Sequence, residues 1–133
     1  MTRIESEMQT INSSIETVFN FLSNFNNFEK LMPEQIINWK STEDTCSFTI
    51  KGMTDLSMKI IKRTPFSEIV MASDGKTPFN YELIAILKTI TKDTCRSQLV
   101  FNAELNAMLS MMVNKPLENF VNILNRSLKT KYE

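Results

Sequence analysis

The side chains that most often carry catalysis are scarce in this chain. Histidine is absent from its 133 residues, so no imidazole can act as a general base or a metal ligand. Cys46 and Cys95 are too few for an ordinary zinc site, and Gly52 and Gly75 are the only glycines, which excludes a glycine-rich phosphate loop. We therefore predict no metal and no cofactor, and nucleotide chemistry is not expected.

Acidic side chains remain, but the residue pattern places them away from a predicted interior. Four fall on the predicted wet face of strands and four fall in turns: Glu5, Glu7, Glu82 and Glu104, then Glu43, Asp44, Asp74 and Asp93. No inward pair of acids is predicted, which argues against the two-carboxylate chemistry of glycoside hydrolysis. We assign no catalytic residue from the pattern.

The chain is better supplied with side chains that suit an apolar ligand. It has nine methionines, whose flexible and polarizable side chains adapt to irregular guests but also fill gaps in ordinary cores. The tyrosine hydroxyl and the indole N–H either orient a ligand or bond to backbone. The candidate ligand-binding residues are Trp39, Phe48, Met58, Met71, Tyr81, Leu83, Leu99, Phe101, Met112 and Phe120, with Phe28 and Met32 at the mouth.

A long amphipathic helix is predicted over residues 106–131. Asn106 is the predicted N-cap, and Pro116, which lacks an N–H, predicts a kink within one continuous helix. A bent helix leaves room beneath it. The apolar stripe comprises Leu109, Met112, Val113, Leu117, Phe120, Val121, Leu124 and Leu128, and polar residues that include Asn119, Asn122 and Asn125 are placed on the wet side.

Strand-like alternation dominates the rest of the chain. One strand is predicted over residues 3–11, and a capping box of Ser13 and Glu16 begins a short helix. A second short helix spans about Asn26 to Leu31, before Pro33. Six further strands follow, at 35–41, 45–51, 56–63, 67–73, 79–90 and 94–105. Clean alternation indicates an antiparallel sheet with one covered face.

Composition limits the class of protein. A chain with 42% hydrophobic residues matches a single domain over residues 1–133. Fifteen basic and 15 acidic side chains give zero net charge, which does not favour a nucleic-acid partner. No apolar run approaches the roughly eighteen residues of a membrane span, and the charged start does not match a secretory signal. We expect a reduced, cytoplasmic protein.

Two stretches resemble a known superfamily. Residues 11–24, which include Val18-Phe19 and Leu22, are followed by Leu31-Met32-Pro33 and resemble the opening of the START-like (SRPBCC) superfamily. That group includes birch-pollen allergens, lipid-transfer START domains and polyketide cyclase/dehydrase-like proteins. Residues 105–109 and 115–120 resemble its small bacterial members. The resemblance implies an α+β helix-grip fold, in which a seven-stranded curved antiparallel sheet wraps around the C-terminal helix and encloses a cavity.

The resemblance leaves three functions open. The first is a binder or carrier of a small hydrophobic ligand that is lipid-, sterol- or polyketide-like. The second is a polyketide cyclase or dehydratase, for which Tyr81 is the only side chain that matches the expected kind. The third is an interaction module of chaperone-regulator type, which needs an exposed apolar patch such as Met108 and Met111. We expect a monomer or weak homodimer.

The helix-grip strand order also predicts the state of the cysteines. Cys46 and Cys95 would lie four strands apart, or about 19 Å. A disulfide requires Cα atoms within about 7 Å. We therefore predict two free thiols.

Overall fold

The computed structural model describes residues 2–75 and 77–133, so Met1 and Lys76 of the predicted domain lie outside the described residues. The C-terminal helix α3 runs without interruption over Ala107–Lys131 and contains Pro116. Asn106 caps it as predicted, because its Oδ1 accepts the N–H of Leu109 at 2.8 Å. No helix among the described residues is long and apolar enough to cross a membrane.

The strands form one antiparallel sheet. Their bounds are β1 Thr2–Glu5, β2 Gln9–Ile11, β3 Ile36–Ser41, β4 Thr45–Ile50, β5 Thr54–Thr64, β6 Glu68–Ser73, β7 Tyr81–Thr91 and β8 Thr94–Ala103. The order across the sheet is β1-β8-β7-β6-β5-β4-β3, and β2 also pairs with β8. This is the predicted helix-grip arrangement, in which α3 packs on β8, β1 and β2. Cys46 and Cys95 lie four strands apart and are free, as predicted.

The single strand predicted over residues 3–11 is in fact two strands, separated at Ser6. The Ser6 hydroxyl accepts the N–H of Leu99 at 2.9 Å, a bond that a backbone carbonyl would accept in a regular ladder. Gln98 Nε2 donates to the Ser6 carbonyl instead, at 3.1 Å. A serine that alternation treats as an ordinary strand position therefore breaks the ladder, and the sheet has eight strands instead of seven.

Two short helices cover one end of the sheet. Helix α1 spans Ile15–Leu22, and helix α2 spans Phe25–Phe28 and continues as a 3₁₀ turn over Glu29–Leu31. The predicted capping box of Ser13 and Glu16 is wrong. Ser14 is the N-cap, with its Oγ accepting the N–H of Thr17 at 3.2 Å, because Ser13 is held in a turn by its own N–H bond to the Ile11 carbonyl.

A bulge interrupts β3. Asn38 has a φ of 58°, and the pairing with β4 shifts between Ile37 and Lys40. Asparagine tolerates this left-handed conformation better than most residues, and its Nδ2 donates to Thr49 Oγ1 at 3.3 Å. The extra residue changes the side-chain alternation along the strand and leaves Trp39 packed against the core.

Candidate functional site

A cavity of about 230 Å³ opens between the middle of α3 and the neighbouring ends of β3 and β4. We call it the mouth cavity. The segment that enters β3, the end of β4 and one flank of α3 each contribute to its lining. The lining residues are Pro33, Gln35, Ile36, Ile50, Lys51, Pro116, Asn119, Phe120 and Ile123.

Local backbone bonds fix the sheet side of the mouth cavity. Pro33 follows the 3₁₀ turn, and its carbonyl accepts the N–H of Ile36 at 3.0 Å. Lys51 N–H then donates to the Gln35 carbonyl at 2.8 Å, and Ile36 pairs directly with Ile50. On the helix side, Pro116 has no N–H to give to the Met112 carbonyl, so the regular helical bond is missing where the cavity lies.

An aromatic stack begins at Phe120, which lines the mouth cavity, and continues into the core. The Phe120 ring lies 5.8 Å from Phe48, and Phe48 lies 5.4 Å from Trp39, with interplanar angles of 24° and 21°. Trp39 Nε1 donates to Ser41 Oγ at 3.0 Å, and this hydroxyl donates to Asn26 Oδ1 at 2.7 Å. The indole N–H is therefore already bonded within the protein.

A second depression continues from the mouth cavity along the same flank of α3. It has a volume of about 480 Å³, and Ile123 lines both depressions. We call it the cationic groove because three of its residues are basic. Its lining residues are Lys30, Leu31, Ile123, Arg126, Ser127, Thr130 and Lys131.

The structure distributes the predicted ligand-binding residues over different surroundings. Among the described residues, Phe120 is the member of that set that lines the mouth cavity, and Met32 is half-buried beside Pro33. Trp39, Phe48 and Tyr81 belong to aromatic stacks. Six others are at most 2% exposed in the core, namely Phe28, Met58, Met71, Leu83, Leu99 and Phe101.

The interior placement of Met112 is wrong. Its side chain is 66% exposed, because the buried face of α3 follows Val113, Leu117 and Phe120, and Met112 lies outside that row. Asn125 shows the opposite error, since the pattern predicts the wet side and the residue is 1% exposed. Apolar and polar character alone assigned these two residues to the wrong faces.

Most of the mouth cavity was not predicted residue by residue. Gln35, Ile36, Lys51, Asn119 and Ile123 carried no sequence signal of their own. The two prolines did carry one, because Pro33 ends a helical segment and Pro116 interrupts the bonding of another. Both prolines line the mouth cavity.

Tyr81 is bonded as a core residue. Its hydroxyl donates to the Ser57 carbonyl at 2.6 Å, and its ring stacks on Phe101 with centroids 5.0 Å apart. Burial, with a contribution from the nearby Cys46 thiol, raises the pKa of Tyr81 above its ordinary value. The phenol therefore holds its proton against a backbone acceptor.

Neither cysteine is an activated nucleophile. Burial raises the pKa of the Cys46 thiol from 9.0 to about 12, and burial raises the pKa of Cys95 as well. Both remain protonated near neutral pH. Within residues 2–75 and 77–133, no cluster of three or more Cys, Asp or Glu side chains is arranged to hold a metal ion.

Comparison with known proteins reveals similarity in fold. No protein-family model and no curated protein matches the sequence. A START superfamily protein from Mycobacterium smegmatis superimposes with a TM-score of 0.72 at 13% identity, covering 98% of this chain and 96% of that one. The Aha1 dimer from Colwellia psychrerythraea gives 0.67 at 18% identity, covering 100% of this chain and 97% of that one.

A third similar structure is larger. The di-domain ARO/CYC protein BexL superimposes with a TM-score of 0.69 at 14% identity, and the match covers 98% of this chain but 46% of that chain. Identities this low show the fold alone. The chain has the START-like (SRPBCC) helix-grip fold.

Proposed function

We propose that the chain acts as one START-like domain that binds or carries a small hydrophobic molecule, of lipid, sterol or polyketide kind, without transforming it. The observation that carries this proposal is the mouth cavity itself. It opens between α3 and the sheet at Pro116, and aliphatic, proline and aromatic side chains make up most of its lining. Concave apolar sites with a few polar groups at the rim are typical of small-molecule binding.

The size of the mouth cavity limits the ligand. Its 230 Å³ is below the roughly 300 Å³ at which drug-sized ligand sites begin. Micromolar affinity corresponds to about 8 kcal/mol, and buried apolar surface supplies about 25 cal/mol per Å². More than about 300 Å² of apolar surface must therefore be buried. A ligand meets this requirement if it extends beyond the mouth cavity, or if Phe120 swings away from Phe48.

An interaction module is the second candidate function. Met108, Met111 and Met112 are 72%, 86% and 66% exposed on the first half of α3, and one similar structure is the Aha1 dimer. Exposed methionines suit adaptable protein contacts. The cyclase reading has less support, because the Tyr81 hydroxyl is bonded to backbone. The similarity to the ARO/CYC protein BexL does not by itself carry an activity.

Blocking the mouth cavity tests the binding proposal. Asn119 is exposed and lines this cavity, so Asn119→Trp places an indole across it without disturbing the core. We expect the affinity for the neutral dye N-phenylnaphthylamine, measured by fluorescence titration, to fall by about tenfold or more, which corresponds to about 1.4 kcal/mol.

Asn114→Trp is the matched control. Asn114 is exposed on α3 and does not line the mouth cavity among the described residues, so the variant should bind the dye like the wild type. Circular dichroism and thermal melting establish that both variants are folded. If the wild type takes up no dye, the binding proposal fails and the interaction module becomes the better reading. Equal binding by both variants would place the ligand elsewhere.

A further inference from the structure

The mouth cavity and the cationic groove adjoin at Ile123, which lines both, and they differ chemically; we call the two together the channel. One wall is the segment from Lys30 to Ile36, which contributes Lys30 and Leu31 to the groove and Pro33, Gln35 and Ile36 to the mouth cavity. The other wall is one flank of α3, where Ile123 lines both parts. A single elongated molecule can therefore contact both parts.

The helical wall has the spacing of one continuous stripe. Lining positions recur at steps of three or four from Pro116 through Asn119, Ile123 and Ser127 to Lys131, which keeps them on one side of the helix. Between Pro116 and Lys131 the helix rises about 22 Å at roughly 1.5 Å per residue. That length suits an extended acyl chain with a head group better than it suits a compact ligand.

The two ends differ in charge. The groove is lined by Lys30, Arg126 and Lys131, and among the described residues no carboxylate lines it. Within the same part of the chain, none of these three cations takes part in an ion pair, although Lys131 Nζ lies 4.8 Å from the Phe21 ring centroid. The chain as a whole has no net charge, so this concentration of cations is local.

We infer that the ligand of the proposed site is an anionic amphiphile. Its apolar tail occupies the mouth cavity, and its carboxylate or phosphate lies in the cationic groove. Arg126 presents a planar donor fork that fits either group, and the two lysines add point charges. The inference rests on the proposed binding function and names its ligand class. It also accounts for a mouth cavity that is too small by itself for the ligands it would otherwise hold.

Matched ligands test the head group. Isothermal titration calorimetry with dodecanoic acid, dodecyl phosphate and methyl dodecanoate compares one tail with two anionic heads and one neutral head. We expect the wild type to bind at least one anion about tenfold more tightly than the ester, because three cations attract the charged head group, and not more than that, because exposed ion pairs are individually weak. The preference should shrink as salt is raised. The tighter anion identifies whether the source is a carboxylate or a phosphate.

Matched variants locate the head group. The triple substitution Lys30→Gln, Arg126→Gln and Lys131→Gln should remove the anion preference and leave ester binding unchanged. Lys88→Gln, Lys92→Gln and Arg96→Gln change the net charge equally at exposed positions away from the channel, and this control should keep the preference. Lys51→Gln removes the cation that lines the mouth cavity and should also keep it.

The possible outcomes separate the two proposals. Ester and anions bound equally, or a groove variant that behaves like the control triple, would overturn the anionic amphiphile and leave hydrophobic binding intact. Loss of the anion preference in Lys51→Gln but not in the triple groove variant would also overturn the anionic amphiphile, because the head group would then lie in the mouth cavity. Failure of all three ligands and of the neutral dye would instead reject the binding function.

Discussion

The two halves of α3 carry the same kind of apolar pattern but lie in different surroundings. The second half buries Val121, Leu124 and Leu128, and the helix packs on β8, β1 and β2. The first half carries the exposed Met108 and Met111 and borders the mouth cavity from Pro116 onward. Both halves bury apolar side chains, among them Val113 and Leu117 in the first, but the gap that a ligand could fill begins at Pro116, and the second half is held in addition by a buried amide.

A buried amide anchors the second half of α3. Asn125 Nδ2 donates to the carbonyls of Glu7 at 2.8 Å and Ser97 at 3.1 Å, and its Oδ1 accepts the Ser97 hydroxyl. Ser6, where the first two strands separate, also contacts this amide at 3.4 Å. These bonds join α3 to β8 and to the segment between β1 and β2, so the hydroxyl that breaks the ladder belongs to the network that holds the helix.

The largest expected effect comes from removing this amide. Asn125→Leu keeps the branched shape and the number of heavy atoms of the side chain but leaves the Ser97 hydroxyl and carbonyl without their buried partner, and each unsatisfied buried group costs about 1–3 kcal/mol. We expect a loss of about 3 kcal/mol in the free energy of unfolding, measured by urea denaturation.

Asn119→Leu makes the same substitution in the open half of the helix. Asn119 is exposed, so we expect its change in stability to stay within about 0.5 kcal/mol. Similar losses from both variants would show that the two halves of α3 are held equally strongly.

The repeating pattern of the chain predicted the fold, and local exceptions shaped the site. The alternation along β4 and β7 and the apolar stripe on α3 each include many residues. Assigning one residue to the wrong face therefore does not change the predicted architecture. The bulge at Asn38, which sets the facing of Trp39, depends on one residue in a left-handed conformation. An analysis of alternation with a period of two residues cannot detect such a residue.

The mouth cavity was harder to predict than the fold because it depends on tertiary geometry. Ile36 and Ile50 read as ordinary strand residues, and only their pairing beside Pro116 makes them a cavity wall. Asn125 reads as a wet-side residue because its partners, Ser97 and the Glu7 carbonyl, are distant in sequence. The order of polar and apolar residues in the sequence does not reveal hydrogen bonds between distant segments.

A pH titration tests whether water is excluded from the core around Cys46. Cys46 lies on β4, the strand that also carries Phe48 and Ile50, and burial raises its pKa from 9.0 to about 12. The folded state keeps the proton that the unfolded state loses above pH 9. This contribution to stability is therefore complete below pH 9 and is lost as the pH rises toward 12, by about 2 kcal/mol between pH 9 and 11.

The control for this titration is Cys46→Ala, measured with reductant at pH 9, 10 and 11. The variant loses some packing at every pH, but its stability should fall less steeply with pH than that of the wild type. The informative quantity is the difference between the two slopes. Parallel curves would indicate that water reaches the Cys46 thiol, and the core around this residue would then be open instead of packed.

The smallest expected effect concerns Pro116, which separates the two halves. An interior proline costs about 3 kcal/mol relative to alanine in an ordinary helix, but this helix is already packed around its proline, and proline also restricts the unfolded chain. We therefore expect Pro116→Ala to stabilise the protein by only about 1 kcal/mol in thermal or urea unfolding. Restoring the helical bond to the Met112 carbonyl should draw the first half of α3 toward the sheet, narrow the mouth cavity and weaken dye binding.

Asn114→Ala, at an exposed position on the same half of the helix, is the control for the change in helix propensity, because Asn114 does not line the cavity among the described residues. A gain in stability with unchanged binding would mean that the gap at the mouth is set by the ends of β3 and β4 alone, and that the missing helical bond has no part in it.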